Sequence, residues 1–158
     1  MKQPDFSEWL AYDPETGDFT WRKTRGKGYA GEKAGALSTS GYFVIGIAGR
    51  LYYAHRLAWL LVHGVWPEQM IDHINGDRLD NRLSNLRKAD YVLNAQNLRK
   101  ARPNSKTGVL GVYMQRQRFV SQITSKGKRI CLGSFATVGE ASEAYLLAKR
   151  RLHEGCTL

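Results

Sequence analysis

Residues 71–87 read IDHINGDRLDNRLSNLR, and the rest of the chain arranges itself around them. Ile71 leads into the Asp72-His73 pair, and Asn75-Gly76-Asp77 follows as a turn, because Asx residues and glycine enter tight turns at least cost. Asn85 comes twelve residues after His73 and Asn94 nine after that. Asn94 falls on a short helix for which Asp90 is the expected N-cap. The pattern predicts a β-hairpin followed by a helix, which together gather Asp72, His73, Asn85 and Asn94.

The Asp-His dyad, the turn, the two asparagines and the intervening Asp80-Asn81-Arg82-Leu83-Ser84-Asn85-Leu86 resemble the HNH endonucleases. The similarity is to the phage and intron-encoded homing type, in which the last His of the motif is replaced by Asn. Upstream, Ala54-His55-Arg56-Leu57-Ala58-Trp59 is similar to the His-Arg helix that precedes the motif in these proteins, so the resemblance spans most of residues 10 to 100. It implies a ββα-metal nuclease module acting on DNA.

Phosphodiester hydrolysis needs a base for the water, a cation on the phosphate and leaving oxygens, and a fixed scaffold for both. Asp72 is a hard oxygen donor suited to Mg²⁺ or Mn²⁺, and Asn94 offers a neutral carbonyl oxygen. One divalent ion on these two ligands leaves room for phosphate and water. His73 projects to the opposite side of its strand from Asp72, and a neutral imidazole near pH 7 suits it as general base. The resemblance gives Asn85 the role of holding the loop and the His by hydrogen bonds. The expected catalytic set is therefore His73, Asp72, Asn85 and Asn94, with Asp72 and Asn94 on the metal. Asn97, one helical turn on, competes with Asn94. The bland reading of Asp72 and His73 is a polar pair flanking a turn. The resemblance also brings His55 and Arg56 towards a phosphate; the alternative for His55 is a structural histidine at a strand-helix junction.

The bounds agree with a polyanionic partner. Lys and Arg number 24 against 14 acidic residues in 158, a formal charge of +10, which directs attention to nucleic acid. Cys131 and Cys156 form no C-x-x-C pair, so neither a disulfide framework nor a four-cysteine zinc site is available, and a reducing cytoplasm is expected. There is no signal-peptide pattern and no apolar run of membrane-spanning length, so no membrane role is expected.

Before the motif, Phe6 to Tyr12 reads as one short helix, with turn chemistry at 13–18 leading into a strand at Phe19 to Trp21. Arg22 to Lys33, rich in Gly, Lys and Arg, reads as a mobile basic loop that either meets the DNA backbone or is simply solvated. Tyr42 to Ile47 and Arg50 to Tyr53 flank Ala48-Gly49, a two-residue hairpin signal. His55 to His63 has helical spacing in Leu57, Leu60 and Leu61, with Gly64 as C-cap.

After the motif, Lys100 to Thr107 reads as a linker. Val109 to Gln115, Arg118 to Thr124 and Lys128 to Gly133 then suggest a three-stranded antiparallel meander. Alternation puts Val112, Met114, Phe119, Ile123, Ile130 and Leu132 on an apolar face, and Tyr113, Gln115, Arg118, Gln122, Thr124, Arg129 and Cys131 on a polar one. Thr137 and Glu140 make a capping box for a helix whose stripe of Ala141, Ala144, Tyr145, Ala148 and Leu152 covers the apolar face. The Gly-Val, Leu-Gly-Ser-Phe and Ala-x-x-Ala-Tyr landmarks resemble the plant ethylene-response-factor DNA-binding domain, which also occurs appended to phage HNH nucleases. That resemblance implies a sheet entering the major groove, with Gln115, Arg118, Gln122, Thr124 and Arg129 presented to DNA. Tyr113 and Cys131 stand where plant members have Arg and Trp, so the target sequence does not carry over.

The expected fold is α+β: an HNH module with N-terminal β-hairpins over 1–100, a linker at 101–107, and a three-stranded sheet packed on one helix over 108–158. The expected function is a metal-dependent endonuclease on double-stranded DNA that nicks as a monomer without an obligate protein partner. The competing readings are a non-catalytic DNA-binding protein that retains the HNH fold and an RNA-processing nuclease.

Overall fold

The computed structural model describes residues 4–24, 26 and 28–157. Arg25 and Lys27, both in the basic stretch from Arg22 to Lys33, lie outside the described residues, as do 1–3 and 158. The chain divides into two compact units, Met1–Asp90 and Tyr91–Leu158. Among the described residues no helix is long and apolar enough to cross a membrane.

The first unit opens with a 3-10 turn at Phe6–Glu8, capped by the Asp5 carboxylate on the Ser7 amide. Strand β1 (Leu10–Tyr12) follows and pairs antiparallel with β2 (Phe19–Trp21), Leu10 opposite Trp21 and Tyr12 opposite Phe19. This corrects the expected single helix over Phe6 to Tyr12. The segment buries Phe6 and Leu10, and its backbone finds partners in β2, a non-local ladder that outweighs helical propensity. The return arm of the basic loop is also pinned to β2: the Trp21 amide donates to the Glu32 carbonyl, Gly31 to the Trp21 carbonyl, and Ala34 to Phe19.

Strands β3 (Ala36–Leu37), β4 (Phe43–Ile47) and β5 (Arg50–Tyr53) form an antiparallel sheet in that order. Ala48 and Gly49 both take positive φ, 50° and 75°, as the tight hairpin requires. Helix α1 (Ala54–His63) leaves β5 directly and ends at Gly64, whose amide caps the Leu60 carbonyl. One core joins these pieces: Phe6, Leu10, Phe19, Ile45, Ile47, Ala54, Leu57, Ala58, Ile71 and Leu86 are buried together. Ile71 and Leu86 belong to β6 (Met70–His73) and β7 (Leu86–Ala89), an antiparallel pair with a 3-10 turn at Leu83–Asn85 between its strands. In the hairpin segment Leu86 is buried, Leu83 half-buried and Leu79 exposed.

The second unit begins with α2 (Tyr91–Gln96) and continues into β8 (Val112–Gln115), β9 (Arg118–Ser125) and β10 (Lys128–Phe135), an antiparallel sheet in the order β10-β9-β8. Helix α3 (Val138–Leu152) carries the expected Thr137/Glu140 capping box. The boundary at 90/91 falls ahead of the stretch read as a linker because α2 and its sequel bond to the C-terminus. Arg99 donates to the Thr157 carbonyl at 2.9 Å, Gly155 to the Gln96 side chain at 3.0 Å, and the buried Lys149 ammonium to the Leu98 carbonyl. Within 101–107, the Thr107 hydroxyl donates to the Val112 carbonyl at 2.8 Å.

Helix α3 packs chiefly on β9 and β10. Val112, Ser121 and Ile123 are buried beneath it and Ala141 is buried on the helix itself, whereas Met114 on β8 and Ile130 on the edge strand β10 stay exposed, which corrects their assignment to a covered face. Val120, on the opposite face between Tyr113 and Ser134, is buried instead.

Candidate active site

Strand pairing puts Asp72 opposite Arg87 and His73 opposite Leu86. Successive side chains leave a strand on opposite faces, so the dyad splits as expected. The buried Asp72 carboxylate takes two bonds from Arg87 on Oδ2, 3.1 Å from Nε and 2.9 Å from Nη2. His73 is buried on the other side, its ring 5.0 Å from that of His55 and 6.2 Å from Tyr42.

Asn85 holds the turn between the strands. Its amide nitrogen donates to Asn75 Oδ1 at 3.0 Å and to the Asp80 carbonyl at 2.8 Å, and its Oδ1 accepts the Asn75 amide at 2.9 Å. Asx bonds from Asn75 to the Asp77 amide and from Asp77 to the Leu79 amide fill in the loop. Arg82 clamps Asp80 at 2.6 Å, and these hydrogen bonds hold that carboxyl down at about 2. The residue that meets His73 is Asn81, whose Oδ1 lies 3.2 Å from Nε2.

Burial pushes His73 below the ordinary histidine value; the Asn81 bond and the carboxylates of Asp72, Asp77 and Asp80 offset part of that. His55 is driven to about 3, first by burial and then by His73 and Arg56, and its Nδ1 is buried without a hydrogen-bond partner. Both imidazoles are thus neutral at pH 7. Arg56 donates to the Gln69 carbonyl at 3.2 Å and the Pro67 carbonyl at 2.6 Å, with its guanidinium 5.2 Å from the Trp66 ring. It braces the turn between α1 and β6, and burial of His55 favours the reading of a structural histidine at the strand-helix junction.

Asn94 lies exposed on α2 in the second unit, while Asn97 is buried with its Oδ1 accepting the Thr157 hydroxyl at 2.8 Å. Asn97 is therefore engaged within its own unit. On the sheet of that unit, Gln115 pairs with Arg118, Thr124 with Arg129 and Gln122 with Cys131, so all five expected DNA-facing residues share one face. Gln115, Thr124 and Arg129 are exposed and Gln122 is half-buried. Arg118 is exposed but reaches across to Ser134, 3.1 Å to Oγ and 2.8 Å to the carbonyl.

Among the described residues no three His, Cys, Asp or Glu side chains gather into a ready metal cluster. The donor chemistry still suits one hard cation: Mg²⁺ commonly takes one or two protein oxygens and fills its remaining positions with phosphate and water. Asp72 supplies such an oxygen.

Two residues of this site went unread in the sequence, Asn81 and Arg87. Each owes its role to hairpin register: Arg87 faces Asp72 only once His73 is paired with Leu86, and Asn81 meets His73 only through the fold of the loop.

Residues 52–89 match the family model described as HNH endonuclease. The match covers the end of β5, α1 and the β6-β7 hairpin, and so includes Asp72, His73, Asn81, Asn85 and Arg87. It supports a nuclease, a hydrolase acting on nucleic acid, with the divalent metal that HNH nucleases generally use. No curated protein and no solved structure matched the chain.

Proposed function

We propose that the chain is a metal-dependent DNA endonuclease of the homing type that nicks duplex DNA as a monomer, with the C-terminal sheet holding the site. The observation that carries this reading is the buried, neutral His73 next to Asp72 at the end of β6, where the strand enters a loop locked by Asn85.

In this mechanism His73 takes the proton from the attacking water, which a neutral imidazole can do and an imidazolium cannot. Asp72 would hold the ion, and Asn94 is the second ligand that the resemblance implies. When bound, that ion neutralises charge on the phosphate and the leaving oxygen. Arg87 fixes the Asp72 carboxylate across the strands, and Asn85 keeps the loop closed while substrate enters. Gln115, Gln122, Thr124 and Arg129 present hydrogen-bonding groups of the kind that read base edges or phosphates in a major groove, and the resemblance of this unit to the ethylene-response-factor domain supports that use.

One observation favours a second reading, a DNA-binding protein that keeps the HNH fold without cutting: the Asp72 carboxylate is already paired with a guanidinium. A plasmid-nicking assay in Mg²⁺ separates the two. The nuclease reading expects nicked circles from the parental chain and none from Asp72→Ala, with DNA binding retained in both. Equal activity of the two proteins, or no cleavage by either in Mg²⁺ or Mn²⁺, overturns it.

A further inference from the structure

We propose that Asn81 is the positioning residue that fixes the tautomer of His73, and that the N-terminal β1-β2 hairpin serves the reaction by holding Asn81 in place. The inference rests on reading His73 as the base.

Two hydrogen bonds fix the orientation of the Asn81 amide. Its Nδ2 donates to the Leu79 carbonyl at 3.1 Å, and a carbonyl can only accept, so the atom turned to His73 is Oδ1. An amide oxygen can only accept as well. The bond of 3.2 Å therefore requires the proton on His73 Nε2, and a neutral imidazole protonated there carries its lone pair on Nδ1. The opposite tautomer would set two lone pairs against each other in a buried place, which is costly.

Asn81 cannot easily turn away. It is 3% exposed, and its backbone carbonyl accepts the Tyr12 hydroxyl at 2.8 Å. Burial pushes that hydroxyl up to about 12, so it remains a donor at any working pH. The next residues are tied to the same hairpin: Leu83 donates to the Pro14 carbonyl at 3.0 Å. Gly17 lies so close to the Asn81-Arg82 peptide that a Cβ there would sit 2.5 Å from the Arg82 nitrogen. A hairpin that looks like mere scaffold thus buttresses a side chain that orients His73.

The test uses the full-length chain, ¹⁵N-labelled, with the His73 ring assigned by its absence in His73→Ala. Long-range ¹H–¹⁵N correlation spectra at pH 8 should show the Nε2–H tautomer in the parental protein and in Asn81→Asp, which keeps an accepting oxygen. Asn81→Leu should show a mixture. In Mg²⁺, Asn81→Leu should lower kcat by about tenfold or more, within the ~10² to 10⁴-fold that a general base contributes, with KM for DNA unchanged. Asn81→Asp should recover most of the rate. An Nδ1–H tautomer in the parental protein overturns the proposal without any variant, as does an unchanged tautomer in a folded Asn81→Leu. If the tautomer shifts as stated while His73→Ala cleaves at the parental rate, the base assignment fails and the hold of Asn81 on the ring stands.

Discussion

His55 and His73 meet edge to face, 5.0 Å between centroids and 73° between planes, so His73 packs on a second histidine that stays neutral. His55 titrates near ~6.5 in an unfolded chain and near about 3 in the folded one. The unfolded state takes the proton first, so the His55 contribution to stability is present above about 6.5 and is lost as pH falls towards 3. The slope from this one group approaches about 1.4 kcal/mol per pH unit. Urea unfolding at pH 7, 5.5 and 4 should show a shallower loss for His55→Phe than for the parental chain. Identical pH slopes would remove His55 as a source.

Arg87→Ala leaves the Asp72 carboxylate buried without its guanidinium partner. Removing one partner of a buried pair costs about 3 to 5 kcal/mol, and because Arg87 is partly exposed the loss here should be about 3 or less. A divalent ion on Asp72 supplies the missing positive charge. Mg²⁺ or Mn²⁺ should therefore raise the Tm of Arg87→Ala more than that of the parental protein; equal gains in thermal scans would argue against Asp72 as the ligand.

In the proposed roles His73 takes a proton whereas Asn94 offers only an oxygen, so their variants should fail differently. His73→Ala should lower the cleavage rate by ~10² to 10⁴-fold with little change in the ion concentration needed. Asn94→Ala should be partly rescued by added Mn²⁺, and Asn94→Asp should keep metal binding better than Ala. Rate against metal concentration for the three variants decides, and rescue of His73→Ala alone would exchange the two roles.

Gly17→Ala meets two obstacles, a φ of +77° and a contact of 2.5 Å with backbone. Gly49 has a similar φ, +75°, with nothing within 4 Å of an added Cβ. Gly49→Ala should cost on the order of 1 kcal/mol from strain alone, and Gly17→Ala on the order of 1 kcal/mol more. Only Gly17→Ala should also slow cleavage. Chemical denaturation and the nicking assay check both halves.

What could be read from the sequence was what local chemistry decides. The Ala48-Gly49 hairpin, the Gly64 end of α1, the Thr137/Glu140 box and the opposite-facing Asp72 and His73 each depend on residues within a few positions of one another. The 3-10 turn and strand at Phe6 to Tyr12 were not legible, because the partner that makes Leu10 to Tyr12 a strand lies at Phe19 to Trp21. Asn81 was hidden for the same kind of reason: in sequence it is one of several Asx residues in a polar loop, and only the closed loop distinguishes it. The unit boundary at 90/91 depends on bonds from Gln96 to Arg99 to a C-terminus some sixty residues away, which no composition shift announces.

The Tyr12 bond to the Asn81 carbonyl spans 69 residues. Closing so long a stretch of chain comes late in folding, after the hairpins and α1, whose contacts are local, have had time to form. On a ribosome the donor emerges first and waits for its acceptor. A chain interrupted before residue 81 holds β1 to β6 but lacks both β7 and the Asn81 contact to His73, so the setting of His73 is completed only by the last stretch of the first unit to be made.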